Sequence, residues 1–248
     1  MIADPFFYAL AVPAVVMLGL AKGGFSGMGA LSLPMLAMAI DPVRAAAILL
    51  PILIVQDVVG IWAFRRTIDW WVIAWMLPGA GIGILLGYGF ASTVRPSAVL
   101  AAVGAISIAF GAWRLWTERN GMPAARRSPG WVGTTFGVAS GFTSQIAHAG
   151  QPPFQLWVLP RRLPRDVLVG TTALFFGAVN WLKVPAYLAL GQFTPANLAT
   201  SAALLPVAIA STIAGVWLVR RVSAKRFYTA IYVLMIAVGV KLVWDGVA

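Results

Sequence analysis

Cysteine is absent from the 248 residues, histidine occurs once, and acidic residues number only seven. The first absence excludes disulfides, thiol catalysis and thiolate metal sites. A single His excludes bis-His haem ligation and leaves no cluster for a metal ion, so neither metal nor cofactor is expected. Charge is scarce as well: Asp, Glu, Lys and Arg make up 10% of the chain, against roughly a quarter in soluble proteins. In their place stand 60% hydrophobic residues and a mean hydropathy of +0.88. Apolar runs of about twenty residues recur along the whole length, which marks an all-α polytopic membrane protein. The net charge of +11 does not make a nucleic-acid binder. Its Lys and Arg lie in short clusters between apolar runs, where they report membrane orientation. Met1-Ile2-Ala3-Asp4 lacks the basic start of a signal peptide, so a single membrane unit is expected.

Eight apolar blocks are legible, and they fall into two similar halves. The first repeat, residues 1–116, holds a broken block at 5–40 and helices at 43–64, 70–92 and 96–116. A polar linker, 117–129, follows. The second repeat, 130–248, holds a broken block at 131–160 and helices at 165–190, 195–219 and 225–247. Gly19-x3-Gly23 recurs as Gly137-x3-Gly141, and Pro34 falls opposite Pro152 at the same offset. Asp57 then falls opposite Asn180. A helix over 5–40 would run to about 54 Å at ~1.5 Å per residue, far more than a hydrocarbon core of ~30 Å. Two arms meeting at a glycine-rich tip near mid-membrane fit the length better, as a re-entrant hairpin.

The basic residues favour the same arrangement. With both broken blocks re-entrant, thirteen Lys and Arg fall on one side and only Arg44 and Arg95 on the other. With every block crossing once, they divide between both faces. The positive-inside rule selects the first case. Linker 117–129 is then cytoplasmic, both termini lie outside, and three crossings per half make the repeats inverted.

Breaks at matching places in inverted halves are the sequence pointer to a transporter's substrate site. Helix N-termini at the tips aim N–H groups and positive dipole ends at whatever lies between them. The backbone donors expected there are those of Gly27, Gly29 and Ala30, and of Ala149, Gly150 and Gln151. Lys22 and His148 lie beside these starts, with Ser26, Ser140, Thr143, Ser144, Gln145 and Gln151 as neutral donors. Such a site suits a small oxyanion. Asp57 is the one carboxylate deep in an apolar block, and it must pair, with Lys22 as the candidate, or carry a proton. It is thus the candidate coupling residue, and Asn180 a substrate or backbone ligand. Lys183 is near enough to a helix end and Pro185 to snorkel, and Lys241 is expected to pair with Asp245 at the interface. Gly81, Gly83, Gly87 and Gly89 read as helix-packing positions. Trp62, Trp70, Trp71, Trp116 and Trp131 read as interfacial belts. A Ser144–His148 hydrolase dyad and an anion channel are the competing readings.

At these residues the chain resembles the sulfite exporter TauE/SafE family of bacterial membrane proteins. The stretch from Gly19-Leu20-Ala21-Lys22-Gly23-Gly24 through Gly29 to Pro34 carries the likeness in the first half. In the second it rests on Ser140 to Pro153, then Val169-Gly170-Thr171-Thr172, Phe175-Phe176, Asn180 and the closing Lys241 to Gly246. The resemblance implies outward transport of sulfite or organosulfonates such as sulfoacetate across a bacterial inner membrane, by a protein that is not an enzyme. It implies a small anion and the bilayer as partners and leaves a homodimer open. Gln151 departs from the pattern, standing where the family has Gly before the proline pair.

Overall fold

The computed structural model describes residues 2–23, 28–121, 128–218 and 225–247. Gly27 and Ser26 of the first tip lie outside them. Among the described residues all regular structure is helical. The elements are α1 (Pro5–Lys22), a 3₁₀ turn (Met28–Leu31) leading into α2 (Ser32–Ala37), α3 (Pro42–Phe64), α4 (Trp70–Thr93) and α5 (Pro96–Asn120). There follow α6 (Gly130–Ala147), α7 (Gln151–Val158) with a 3₁₀ turn (Leu159–Arg161), α8 (Arg165–Ala189), α9 (Pro195–Leu218) and α10 (Lys225–Val247).

Polar residues mark where the apolar helices start and stop. Asp4, Asp41 and Asp69 cap α1, α3 and α4, their side chains accepting from backbone N–H groups of the first turn. Pro5 and Pro42 hold the first helical position, where no N–H is needed. Thus three of the seven carboxylates serve helix starts. Helix α5 runs four residues past the expected boundary at 116 and stops at Gly121, whose φ of 80° an L-residue rarely adopts.

Among the described residues six helices are long and apolar enough to cross a membrane: α1, α3, α4, α5, α8 and α9. The expected six held 225–247, part of which lies outside the described side chains, in place of the first arm, so the two sets differ at α1 and α10. Helix α1 is about 27 Å long by its rise, yet it does not run the depth of its neighbour. Lys22 at its end pairs with Asp57, seven residues before the end of α3, which leaves about 10 Å of α3 beyond the tip. At the end of α6, Ser144 likewise meets Lys183, six residues before the end of α8. Both broken blocks fold back on themselves. Ser32 Oγ donates to Ala14 O (2.8 Å), and Ser140 Oγ donates to Gly150 O (2.7 Å). The arms are unequal, 18 residues against 6 in the first block and 18 against 8 in the second. The tips therefore lie past the middle of α3 and α8, not at the midpoint expected from length.

Packing exchanges partners between the halves. Helix α1 lies on α9 and α6 on α4, while α3 meets α8 and α5 meets α10. Close approach is made by glycine. A side chain at Gly19 would strike Ser211 and one at Gly23 would strike Gly215, both in α9. The matching Gly137 and Gly141 lie against Met76 and Ala80 of α4. Gly83 and Gly87 pack against α6 as expected, but Gly81 and Gly89 meet nothing within 4 Å and are not packing positions. The expected interfacial Trp residues are all exposed, and Lys241 pairs with Asp245 at the surface.

A chain without native Cys makes the orientation directly measurable. Single cysteines at Arg66, Arg126 and Arg161 should all be labelled from the cytoplasmic side, and one at Arg95 from outside. Labelling of the 126 and 161 positions from opposite faces would overturn the re-entrant arrangement.

Candidate functional site

Helices α3 and α8 meet through a polar contact at membrane depth. Asn180 Nδ2 donates to Asp57 Oδ2 at 2.6 Å, and the other carboxylate oxygen pairs with Lys22 Nζ. The two residues aligned between the halves therefore touch one another. Asp57 and Asn180 are each 2% exposed. A buried carboxylate needs such partners, because an unmatched one costs several kcal/mol. Asp57 accordingly anchors Lys22 at the end of α1 and turns the Asn180 amide toward the same point. The Lys22 ammonium also faces the Phe176 ring, 5.6 Å from its centroid.

Lys183, one turn beyond Asn180 on α8, is the residue whose place the sequence left open. It does not snorkel: its exposure is 0%. Its Nζ lies 3.3 Å from both the carbonyl and the hydroxyl oxygen of Ser144, and 2.6 Å from His148 Nδ1. Among the described residues its partners are thus neutral acceptors, and no carboxylate pairs with it. The nearby Pro185 and helix end had left snorkelling open, and the packing of α3 and α6 over α8 removes that route. His148 caps α6 with φ 49°, a left-handed conformation that turns the chain toward α7. Its Nε2 is 2.8 Å from Ala46 O. A carbonyl only accepts, so Nε2 carries the proton and Nδ1 accepts from Lys183, a tautomer assigned from its partners. Neither nitrogen remains to act as a base toward Ser144, and the dyad of a hydrolase is not formed.

Between the two broken blocks lies a cavity of ≈ 40 Å³. That is room for about three waters and thus for a small oxyanion. Lys22, Gly29, Ser144, His148, Gln151 and Asn180, six of the residues singled out by sequence, line it together. Leu18, Ala21, Ala30, Leu53 and Phe176 form its apolar walls. Gly150 stands behind the lining: a Cβ there would come within 2.8 Å of both Phe176 and Ser140 O, so the hairpin closes only around glycine. Gln151 opens α7 and accepts from Gln155 Nε2 at 3.3 Å, and Gln155 in turn accepts from Arg114. Besides Ser140, whose hydroxyl goes to Gly150 O, three expected donors are turned elsewhere. The Ala149 N–H goes to Thr143 O, the Thr143 hydroxyl bonds Ala139 O, and Gln145 packs over Gly87 of α4. No group of three or more His, Asp or Glu able to hold a metal occurs among the described residues.

The site thus combines a buried and a half-buried amine, one carboxylate already held by two donors, and neutral donors around a small cavity. The chain resembles known membrane proteins over most of its length. Over 182 residues, 71% of this chain and 73% of the relative, it is 28% identical to the "Probable inner membrane transporter protein TsaS" of Comamonas testosteroni. No solved structure matches it. The family model of the sulfite exporter TauE/SafE matches residues 11–242, which include both hairpins and every residue of the cavity lining. The chain is a multi-pass membrane transporter that belongs to the sulfite exporter TauE/SafE family.

Proposed function

We propose that the protein exports small sulfur oxyanions, sulfite or organosulfonates such as sulfoacetate, across a bacterial inner membrane by alternating access. One observation carries this reading: the cluster holds two lysines, buried Lys183 and half-buried Lys22, and a single carboxylate. Asp57 answers Lys22, and Lys183 has no counter-charge of its own among the described residues. A buried ammonium facing only neutral acceptors is costly. An anion in the cavity supplies the missing charge. Its oxygens meet the Lys22 ammonium and the Asn180, Gln151 and Ser144 side chains, which suits a group with several acceptors. His148 acts through Lys183, holding the amine beside the site. The inverted relation of the halves is supported by the exchanged packing of α1 and α6 and by the Asp57–Asn180 contact.

A carrier fits better than a channel. Beyond Lys183 the Tyr187 ring stacks on His148 (6.3 Å between centroids) and on Phe193 (6.2 Å), and the Tyr187 hydroxyl donates to Gln145 O. That end of the site is closed. Proteoliposomes loaded with sulfite, sulfoacetate or sulfate, with and without a pH gradient, test the proposal. Saturable efflux of sulfite or sulfoacetate is expected, with sulfate excluded or slower. Efflux that does not saturate would mean a channel, and no efflux of either sulfur anion would overturn the substrate class. Asp57→Asn belongs in the same assay: gradient-dependent efflux at the wild-type rate would remove Asp57 from coupling and leave it as the partner of Lys22.

A further inference from the structure

A second, smaller chamber of ≈ 20 Å³ lies next to the anion cavity, lined by Val169, Thr172 and Ala173 of α8. Four residues line both spaces: Ala21, Lys22, Gln151 and Phe176. They form a partition, and the Phe176 ring is its largest apolar part. Phe154 and Phe175 hold that ring in place, with centroids 5.4 and 5.0 Å away.

The two chambers share one face of one helix. Asn180, Phe176, Ala173, Val169 and Asp166 follow at spacings of four, three, four and three, the period of a single α-helical stripe. Burial changes steadily along it. Asn180, Phe176 and Ala173 are buried, Val169 and Thr172 half-buried, and Asp166 exposed. At the exposed end Asp166 shares a wide surface depression of ≈ 420 Å³ with Trp62, Arg65, Arg66 and Thr67. The opposite end of the site is the one that Tyr187, His148 and Phe193 close. The site therefore has a graded approach on one side only, and it is the side carrying Arg65, Arg66 and Arg165.

Resting on the anion-site reading above, we propose that the Asp166–Asn180 face of α8 is the anion's route between the basic face and the buried site, with Phe176 as its gate. Arg65 and Arg66 concentrate anions at the mouth, and Asp166 offsets part of their charge. Lys22 and Gln151 then serve twice, as donors to the anion in the site and to the anion passing the partition. Small rotation of the Phe176 ring joins the two chambers. No movement of α8 itself is required for entry from this side.

Single-cysteine variants test the route, and the absence of native Cys makes each of them clean. The probe is sulfonatoethyl methanethiosulfonate, a membrane-impermeant anion, added to the basic face of inside-out vesicles. Thr172→Cys and Ala173→Cys, both in the outer chamber, should react, and Leu182→Cys on the far side of α8 should not. Ala30→Cys in the inner cavity should react slowly, and at least tenfold faster once Phe176→Ala is added. Phe176→Leu keeps the apolar contact with Phe154 and Phe175 and should give an intermediate rate. Arg65→Gln with Arg66→Gln should slow Thr172→Cys labelling severalfold at low salt and much less at about 1 M, where charges are screened within ~3 Å. Inert cysteines at 172 and 173 would overturn the route. An Ala30→Cys rate indifferent to both Phe176 variants would overturn the gate. Sulfoacetate should protect the reactive cysteines. Labelling as predicted without such protection would leave the route standing and defeat the sulfonate substrate instead.

Discussion

Lys22→Gln is expected to weaken sulfoacetate binding at least tenfold and to destabilise the folded protein by about 3–5 kcal/mol. The first effect is the loss of one charge-assisted hydrogen bond to the anion, worth roughly 1.5–3 kcal/mol. The second follows from Asp57, which stays buried when its ammonium partner is removed and must then hold an unpaired charge or take up a proton. Asp57→Asn in the same chain removes that orphaned charge, and Asn180 can still hydrogen-bond an amide at position 57. The double variant should therefore regain most of the lost stability and none of the lost affinity. Isothermal titration and thermal unfolding of detergent-solubilised protein measure the two quantities separately. If affinity returned together with stability, Lys22 would be a structural partner of Asp57 and no ligand of the anion.

Gly83→Val should cost more than about 3 kcal/mol, or prevent folding, whereas Gly81→Ala should be neutral or mildly stabilising. The two glycines are two residues apart on α4 and face opposite surroundings. A Cβ at Gly83 would press on the carbonyl of Val138 and lie 2.7 Å from the backbone nitrogen of Phe142, and backbone cannot swing aside. At Gly81 a Cβ meets nothing within 4 Å, and alanine removes a helix penalty of about 1 kcal/mol. Fluorescence-detected size exclusion and melting temperature compare the two variants directly. Equal stability of Gly83→Val and Gly81→Ala would contradict the close α4–α6 packing.

The class of the protein was legible in its composition. Apolar runs broken by capping Asp and Pro define the helices, because a bilayer leaves the backbone no partner outside a helix. Such residues stand at the starts of α3, α4 and α8 in the structure. Much of the cavity lining was legible too, through glycine-rich breaks too deep to be surface loops and through Lys22 and Asp57, charged residues where hydrocarbon was expected. Six of the residues marked on that ground line one cavity. Membrane depth makes polar groups informative, since each one kept there needs a partner.

Tertiary structure decided which partner. Asp57 and Asn180 lie 123 residues apart and Lys183 and His148 lie 35 apart, and no local pattern specifies those pairs. Lys183 satisfies the same linear description as a snorkelling lysine, and only α3 and α6 packed against α8 close its path to the surface. Gly81 and Gly83 look alike as small residues in an apolar helix, yet one faces a neighbouring backbone and the other does not. Phe176 stood in a recognised motif without a role until α1 and α7 placed Lys22 and Gln151 beside it. Sequence periodicity states which face of each helix is small, polar or charged. Which faces meet is set by the mutual fit of the helices. From that fit come the single carboxylate beside the cavity, the neutral partners of Lys183 and the end that Tyr187 closes.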